Sequence, residues 1–258
     1  MDLKAILFDV DGTISETEEA HRAAFNETFR AEGLDWHWDR DIYRRLLSVA
    51  GGRERIRFFL DTERPHLPGP KKDAPDDWIA RLHQDKTRRF GDKVSGGALT
   101  LRSGVERLIR EARDDGLRLA IATTTSRVNV DTLLASSMAR DAAGSFEVFA
   151  TGECSQNKKP DPGVYLWALD QLALPPEACI AIEDSVNGLH AAQGAGIPTV
   201  IATCPYTDGD DFTGAVAVVD RLGEPDRPFR IINGDARNKT WVDVELLRHW
   251  HSPNAGDA

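Results

Sequence analysis

The stretch Ala5-Ile6-Leu7-Phe8-Asp9-Val10-Asp11-Gly12-Thr13 decides the fold. Its apolar run, from Lys4 to Phe8, reads as a strand buried on both faces, the kind found in parallel sheets. Side chains alternate along a strand, so Asp9 and Asp11, two apart, point the same way. Gly12 follows, where the chain must turn sharply. The carboxyl ends of strands form the crevice in which open α/β sheets bind ligands. Two acids there suggest a hard cation, a nucleophile with an acid/base partner, or both. Taken alone, these residues are as compatible with a strand ending in an ordinary Asp-Gly turn.

Working outward, further short apolar runs read as buried parallel strands at Leu117–Ala122, Cys179–Ile182, Thr199–Ala202 and Ala215–Val219. Helical patterns lie between them at Ser103–Asp114, Pro162–Leu172 and Val186–Ala195. Strand alternating with helix predicts an α/β, doubly wound parallel sheet. Residues 15–95 break that rhythm with helical patterns at Glu16–Glu32, Asp39–Val49, Arg53–Leu60 and Asp76–Phe90. Such an insert predicts a small helical cap domain after the first strand, over a core made of residues 1–14 and 96–251. Within the insert, Pro65–Pro75 carries four prolines and reads as a surface loop. Residues 252–258 read as a disordered tail. Phe25 and Phe29, four apart, are expected on the core face of the first cap helix, with Trp36 and Trp38 packed in the cap.

Of 258 residues, 41% are hydrophobic and 29% charged, as in an ordinary globular protein, and the net charge is −10. That charge argues against nucleic-acid and anionic-membrane partners, while a locally basic or cation-holding site could still take an anion. Cys154, Cys179 and Cys204 are odd in number and widely spaced, which fits neither a disulfide framework nor a zinc site but does fit a reducing compartment. The first residues lack a signal-peptide pattern and no apolar stretch approaches a membrane span, so the expected location is cytoplasmic. A monomer is expected.

Two later strands also end in polar clusters, Thr123-Thr124-Thr125 and Glu183-Asp184-Ser185, with Lys158-Lys159-Pro160-Asp161-Pro162 between them. Each is weak evidence alone. Asp184 could cap the following helix, Lys159 could be a solvated loop residue, and Thr123 could satisfy backbone at a strand end. Their joint placement on the edge that carries Asp9 and Asp11 supplies carboxylates, a lysine and hydroxyl donors. Those parts can hold a hard cation and a phosphoryl group.

Asp9-Val10-Asp11-Gly12-Thr13, Thr123, Lys159-Pro160 and Glu183-Asp184 resemble, in order, the four motifs of the haloacid dehalogenase (HAD) superfamily. The helical insert resembles the cap class that includes β-phosphoglucomutase and phosphoglycolate phosphatase. A narrower pattern, made of Glu18 and His21, Phe25–Phe29, Trp36, Gly51–Ile56 and Lys86-Thr87, resembles the CbbY-like subfamily of sugar-bisphosphate phosphatases. The resemblance implies a Rossmann-like core and a Mg2+-dependent phosphatase. Its substrate would be a small sugar phosphate, xylulose 1,5-bisphosphate, an inhibitory compound removed in carbon-fixing cells of the Calvin cycle. It further implies that Asp9 attacks phosphorus and that Asp11 protonates the leaving group, then deprotonates water. Mg2+ would be held by Asp9, the Asp11 backbone carbonyl and Asp184, with Glu183 nearby or bound through water. Thr123 and Lys159 would stabilise the phosphoryl group, with Thr124 and Thr125 beside it.

Specificity is expected in the cap. Gly51 and Gly52 could let backbone amides approach a second phosphate at a helix N-terminus, and Arg53 could pair with it. Lys86 aligns with a substrate-facing cap lysine of the related mutase. Glu18 and His21 share a helix face and could bind sugar hydroxyls or steady Asp11. Arg53, Arg55 and Arg57 could instead be exposed helix charges, His21 could be a hydrogen-bonded interface residue, and Arg127 and Asn129 carry no assigned role. The Asp-Gly-Thr reading at Thr13 favours hydrolysis over mutase chemistry. A phosphosugar mutase, a phosphoglycolate phosphatase and a non-catalytic phosphate-binding protein remain the alternatives.

Overall fold

The computed structural model describes residues 1–63, 76–96 and 99–252; the Pro65–Pro75 stretch and the tail beyond Ser252 lie outside them. The chain divides into two compact units, Met1–Glu16 with Thr100–Ala258, and Thr17–Leu99.

The first unit holds a seven-stranded sheet of β1 (Ala5–Phe8), β2 (Arg118–Ala122), β3 (Phe146–Ala150), β4 (Cys179–Glu183), β5 (Thr199–Ala202), β6 (Ala217–Val219) and β7 (Ile231–Asn233). The order is β3-β2-β1-β4-β5-β6-β7, parallel throughout except for the antiparallel β6–β7 pair. The fold is therefore α/β, with a Rossmann-like, mostly parallel sheet. β1 lies centrally, where the strand order reverses, which is the place such sheets keep for ligands. Phe8 aligns with Ile121 on one side and Ile182 on the other. One or two residues further on, the chain reaches Asp9, Thr123, Glu183 and Asp184, so parallel register alone delivers these side chains to one edge.

The insert carries α1 (Glu18–Ala31), α2 (Arg40–Leu46), α3 (Gly52–Glu63) and α4 (Asp76–Ser95). Its core is aromatic, with Phe25, Phe29, Trp36, Trp38, Tyr43, Phe59 and Trp78 all buried. Ring centroids lie 4.5 Å apart for Phe25–Trp38, 4.9 Å for Phe29–Trp38 and 5.9 Å for Trp36–Trp78. Helices this short are marginal alone and take their stability from such packing. The loop between α1 and α2 is pinned by Asn26, whose amide nitrogen donates to the Trp38 carbonyl and whose amide oxygen accepts the Trp38 N–H, both at 2.8 Å. Replacing Asn26 by Ala would take this acceptor from the buried Trp38 N–H and leave the Trp38 carbonyl with the Arg22 donor at 3.0 Å. We expect Asn26→Ala to lose about 2 kcal/mol in urea denaturation; a variant as stable as the parent would contradict this.

Around the sheet lie α5 (Val105–Asp114), α6 (Arg127–Ser137), α7 (Arg140–Ala143), α8 (Gly163–Leu172), α9 (Val186–Gly194) and α10 (Val244–His251). Small strand residues, Ala5, Ala120, Ala122 and Ala181, let α8 and α9 approach closely, and Val164, Ala168, Leu172, Ala191 and Ala192 complete that core layer. Leu169 and Leu172 pack there, with Trp167 partly buried against it. The elements β3, β7, α6, α7 and α10 add to those expected from the sequence. The α9 N-cap is Ser185, whose hydroxyl accepts the Gly188 N–H at 3.1 Å, so Asp184 is not needed in that role.

Candidate active site

Asp9, Thr123, Lys159, Glu183 and Asp184 meet, all buried, at the carboxyl edge of β1, β2 and β4. The Lys159 ammonium uses all three donors there, to Asp9 Oδ1 at 2.7 Å, Glu183 Oε1 at 2.5 Å and the Ala122 carbonyl at 2.8 Å. The Tyr165 hydroxyl on α8 donates to the same Glu183 oxygen at 2.6 Å, and the Lys159 ammonium stands 5.1 Å from the Tyr165 ring centroid. Carboxylate oxygens of Asp9, Glu183 and Asp184 lie within 4.8 Å of one another. Asp11 is less buried, and its Oδ2 accepts a 2.7 Å bond from Thr125 Oγ1. The Thr125 N–H donates to Thr123 Oγ1 at 3.2 Å, which leaves the Thr123 hydroxyl proton to donate elsewhere.

Two glycines make room for this cluster. Gly12 has φ of +86°, and a Cβ there would stand 2.0 Å from Asp184 Oδ2. A Cβ on Gly188 would fall 1.9 Å from Glu183 Oε2. Neither acid could keep its position beside any other residue type.

The charges do not balance. Burial pushes Asp9 up from 3.8 to about 8, against the pull of Lys159. Burial, with Asp9 and Glu183 close by, also holds Asp184 well above the carboxylate range, and the Cys204 thiol offsets this in part by hydrogen-bonding it. Burial works against the Lys159 charge, yet Asp9 and Glu183 outweigh it and raise its pKa. Three buried carboxylates facing one ammonium leave negative charge that a divalent cation would neutralise. The donors are all oxygen, as Mg2+ prefers, so the residues present fit that ion.

In the insert, the residues expected to touch substrate fall into separate groups. Lys86 is buried, with Nζ 2.6 Å from His21 Nδ1 and 4.8 and 5.1 Å from the ring centroids of Phe25 and Phe90. The His21 ring stacks on Phe90 at 3.7 Å. Glu18 accepts from the Tyr43 hydroxyl at 2.7 Å, which in turn accepts from Arg55 at 2.9 Å. Arg55 also donates to the carbonyls of Leu46 and Val49, so it braces the loop before α3 and is no solvated charge. Gly51 has φ of +94° and immediately precedes α3, whose first-turn amides belong to Gly52, Arg53 and Glu54. Gly52 has a second reason to be glycine, since a Cβ would lie 2.4 Å from the His83 ring. Arg53 is exposed and lines a groove with Arg81, His83, Gln84 and Thr87; its side chain makes no hydrogen bond or ion pair among the described residues.

Arg127 and Asn129 belong to the first turn of α6. Arg127 pairs with Asp131 at 2.8 Å and covers Phe149, and the Asn129 N–H donates to the cap residue Ser126. Sequence reasoning missed Tyr165 and Cys204. Tyr165 lies on the apolar face of α8, where nothing in the sequence separates it from a core aromatic, and a lone cysteine after a strand carries no signal. No helix among the described residues is long and apolar enough to cross a membrane.

Comparison with known proteins agrees with this geometry. Protein CbbY of Rhodobacter capsulatus is 50% identical over 215 residues, 83% of this chain and 92% of that protein. The plasmid-borne CbbY of Cupriavidus necator is 44% identical over 96% of this chain and 97% of its own length. A crystal structure of CbbY from Rhodobacter sphaeroides, an Asp-to-Asn variant in complex with xylulose-(1,5)bisphosphate, superposes with a TM-score of 0.78 at 46% identity, covering 86% of this chain and 96% of that one. The β-phosphoglucomutase of Clostridium difficile shares the fold, with a TM-score of 0.72 at 19% identity, covering 96% of this chain and 97% of that one. The family profile for haloacid dehalogenase-like hydrolases matches residues 3–196. The profile match over most of the chain and identities of 44–50% to CbbY proteins place it: the chain belongs to the haloacid dehalogenase-like hydrolase family, and within it to the CbbY proteins.

Proposed function

We propose that this chain is a Mg2+-dependent phosphatase that hydrolyses a small sugar bisphosphate, xylulose 1,5-bisphosphate, through an aspartyl phosphate on Asp9. The observation that carries this reading is the buried Asp9–Lys159–Glu183–Asp184 cluster with Asp11 held beside it by Thr125. The CbbY structure with xylulose-(1,5)bisphosphate supports the substrate.

Asp9, Glu183 and Asp184 would hold Mg2+, which supplies positive charge for the carboxylates and the transferring phosphoryl oxygens. Lys159 fixes one Asp9 oxygen and leaves the other to attack phosphorus in line with the leaving oxygen. Asp11 Oδ2 is oriented by Thr125, so its carboxyl can give a proton to the leaving sugar oxygen and later take one from the attacking water. Thr125 therefore acts on Asp11 in this scheme. Thr123, with its hydroxyl already accepting from Thr125, is poised to donate to a phosphoryl oxygen, and the Thr124 amide adds a second donor. The second phosphate is assigned to Arg53 and the α3 amides. The domain reading follows the same lines, with the insert serving as the cap that sets specificity.

The test is phosphate release from a panel containing xylulose 1,5-bisphosphate, pentose and hexose monophosphates and phosphoglycolate, with Mg2+ or with chelator. The bisphosphate should be the best substrate, and chelator should stop turnover. Arg53→Ala should raise KM for the bisphosphate about tenfold, the size of one lost charge-assisted bond, and scarcely alter phosphoglycolate turnover. Isomerised sugar phosphate without phosphate release would replace the hydrolase by a mutase.

A further inference from the structure

Arg102 is half-buried, and all its described side-chain bonds go to backbone. Nη1 donates to the Gly12 carbonyl and, at 2.8 Å, to the Ala202 carbonyl. Nη2 donates to the Thr203 carbonyl at 2.5 Å and the Asp220 carbonyl at 3.2 Å. These acceptors come from the turn after β1, the end of β5 and the end of β6. One guanidinium thus ties together three loops on the edge that carries the acid cluster.

The first of these contacts bears on the site. Gly12 follows Asp11 directly, and its Cα is packed so tightly on Asp184 that a Cβ would stand 2.0 Å from Oδ2. Whatever fixes the Gly12 peptide therefore fixes the wall against which Asp184 rests. Arg102 is itself held in place, because its N–H donates to the Ile14 carbonyl at 2.9 Å and Ser15 bridges to Leu101 in an antiparallel pair. Ser15 Oγ donates to the Thr100 carbonyl at 2.8 Å, which completes a short ribbon formed by the turn after β1 and the segment before α5. The Cys204 thiol hydrogen-bonds Asp184, and Cys204 is seated by Thr207, whose hydroxyl accepts the Cys204 N–H at 3.0 Å. Cys204 itself follows Thr203, one of the residues Arg102 holds.

We propose that Arg102 is a positioning residue for the cation site: by clamping the Gly12 carbonyl it fixes the backbone on which the Asp184 carboxylate rests, and by holding the Thr203 carbonyl it steadies the segment that leads into Cys204. This rests on reading Asp9, Glu183 and Asp184 as a Mg2+ site. Among the described residues Arg102 bonds to none of the three acids Asp9, Glu183 and Asp184. Partners that orient metal ligands commonly govern affinity by about 10- to 100-fold. A lysine could not replace the fork, since its single nitrogen cannot reach carbonyls on three loops in one plane.

The experiment is calorimetric titration of Mg2+ into the chelator-treated full chain, for the parent, Asp184→Asn, Arg102→Met, Arg102→Lys and Arg107→Met. Arg107 is the matched control. It too is half-buried and donates to two loop carbonyls, Gly223 at 2.9 Å and Val242 at 3.0 Å, but has no link to Gly12 or Asp184. The expected result is Mg2+ binding by the parent, none by Asp184→Asn, affinity weakened at least about tenfold in Arg102→Met and parent-like affinity in Arg107→Met. If Arg102→Met does not fold, Arg102→Lys decides, with an expected weakening of about threefold or more on the same scale. Parent-like affinity in the folded Arg102 variant, or an equal loss in Arg107→Met, would overturn the proposal while leaving the cation site intact. A parent that binds no Mg2+ overturns both.

Discussion

Asp9→Asn protein should fold normally and release phosphate from no substrate, with turnover lower by at least about four orders of magnitude, the scale seen when a covalent nucleophile is removed. The amide is nearly the same shape as the carboxylate, and its oxygen can still accept from Lys159, so the geometry at 2.7 Å has no reason to collapse. What disappears is the negative oxygen that can form an acyl phosphate. A second signature follows from burial. Asp9 has its pKa raised from 3.8 to about 8 in the folded chain. As pH rises through that window, the unfolded chain gives up its proton first, so the folded state loses stability at up to about 1.4 kcal/mol per pH unit for one proton. The chelator-treated parent should therefore grow less stable between about pH 4 and pH 8, and Asp9→Asn should show a shallower decline. Denaturant titrations across that range measure both slopes. Parent-like activity in Asp9→Asn would refute the nucleophile assignment, and identical slopes would refute the account of its burial.

Lys159→Met should be the most destabilising of the active-site substitutions, by about 3–5 kcal/mol at neutral pH with chelator present, the cost of leaving buried charges without their partner. Lys159 is 6% exposed, and it is the one cation bonded to both Asp9 and Glu183 among the described residues. The sign with pH is the reverse of that for Asp9. A lysine held above its ordinary pKa by two acids stabilises the fold at every pH below that ordinary value, and its contribution fades only in strongly alkaline solution. The deficit should therefore persist across neutral pH. Mg2+ should restore part of the stability, since an ion bound to the acids replaces some of the lost positive charge. A Lys159→Met protein as stable as the parent would show that the cluster does not depend on its ammonium.

Much of this site was legible before any coordinates because parallel strands impose it. Once Lys4–Phe8, Leu117–Ala122 and Cys179–Ile182 are read as neighbouring parallel strands, Asp9, Thr123 and Asp184 must emerge together, and their register does so. The missed elements failed for identifiable reasons. β3 is an edge strand whose residues alternate between buried and exposed, so Phe146–Ala150 lacks a continuous apolar run. β7 is three residues long and pairs antiparallel, outside the β/α rhythm. In α6 the apolar residues form no clean stripe, and α10 spans only eight residues, about two turns, although Asp243 caps it and Val244, Leu247 and Trp250 share its buried face. In the insert, helix existence could be read from pattern, but side-chain pairing could not. Lys86 with His21, and Glu18 with Tyr43 and Arg55, depend on which helices face each other. Arg102 was invisible for a similar reason, since its partners are four carbonyls distant in sequence, and carbonyls leave no trace in residue identity.

The aromatic packing of the insert has a spectroscopic consequence. Three of the six tryptophans, Trp36, Trp38 and Trp78, lie in one cluster with Phe25, Phe29, Tyr43 and Phe59, in fixed and mostly tilted or edge-on ring geometries. In the α/β unit the ring pairs Phe8–Phe146 and Phe146–Phe149 are made by phenylalanines, which contribute little in the near ultraviolet. Rings locked in an asymmetric array give circular dichroism in the near ultraviolet that vanishes when the array loosens, while the far-ultraviolet signal arises from the helices and strands of both units. Followed side by side during heating, the two wavelengths compare loss of fixed aromatic packing, to which buried Trp250 and Tyr165 of the α/β unit also contribute, with loss of helix and strand, without a label and without touching a residue of the catalytic edge.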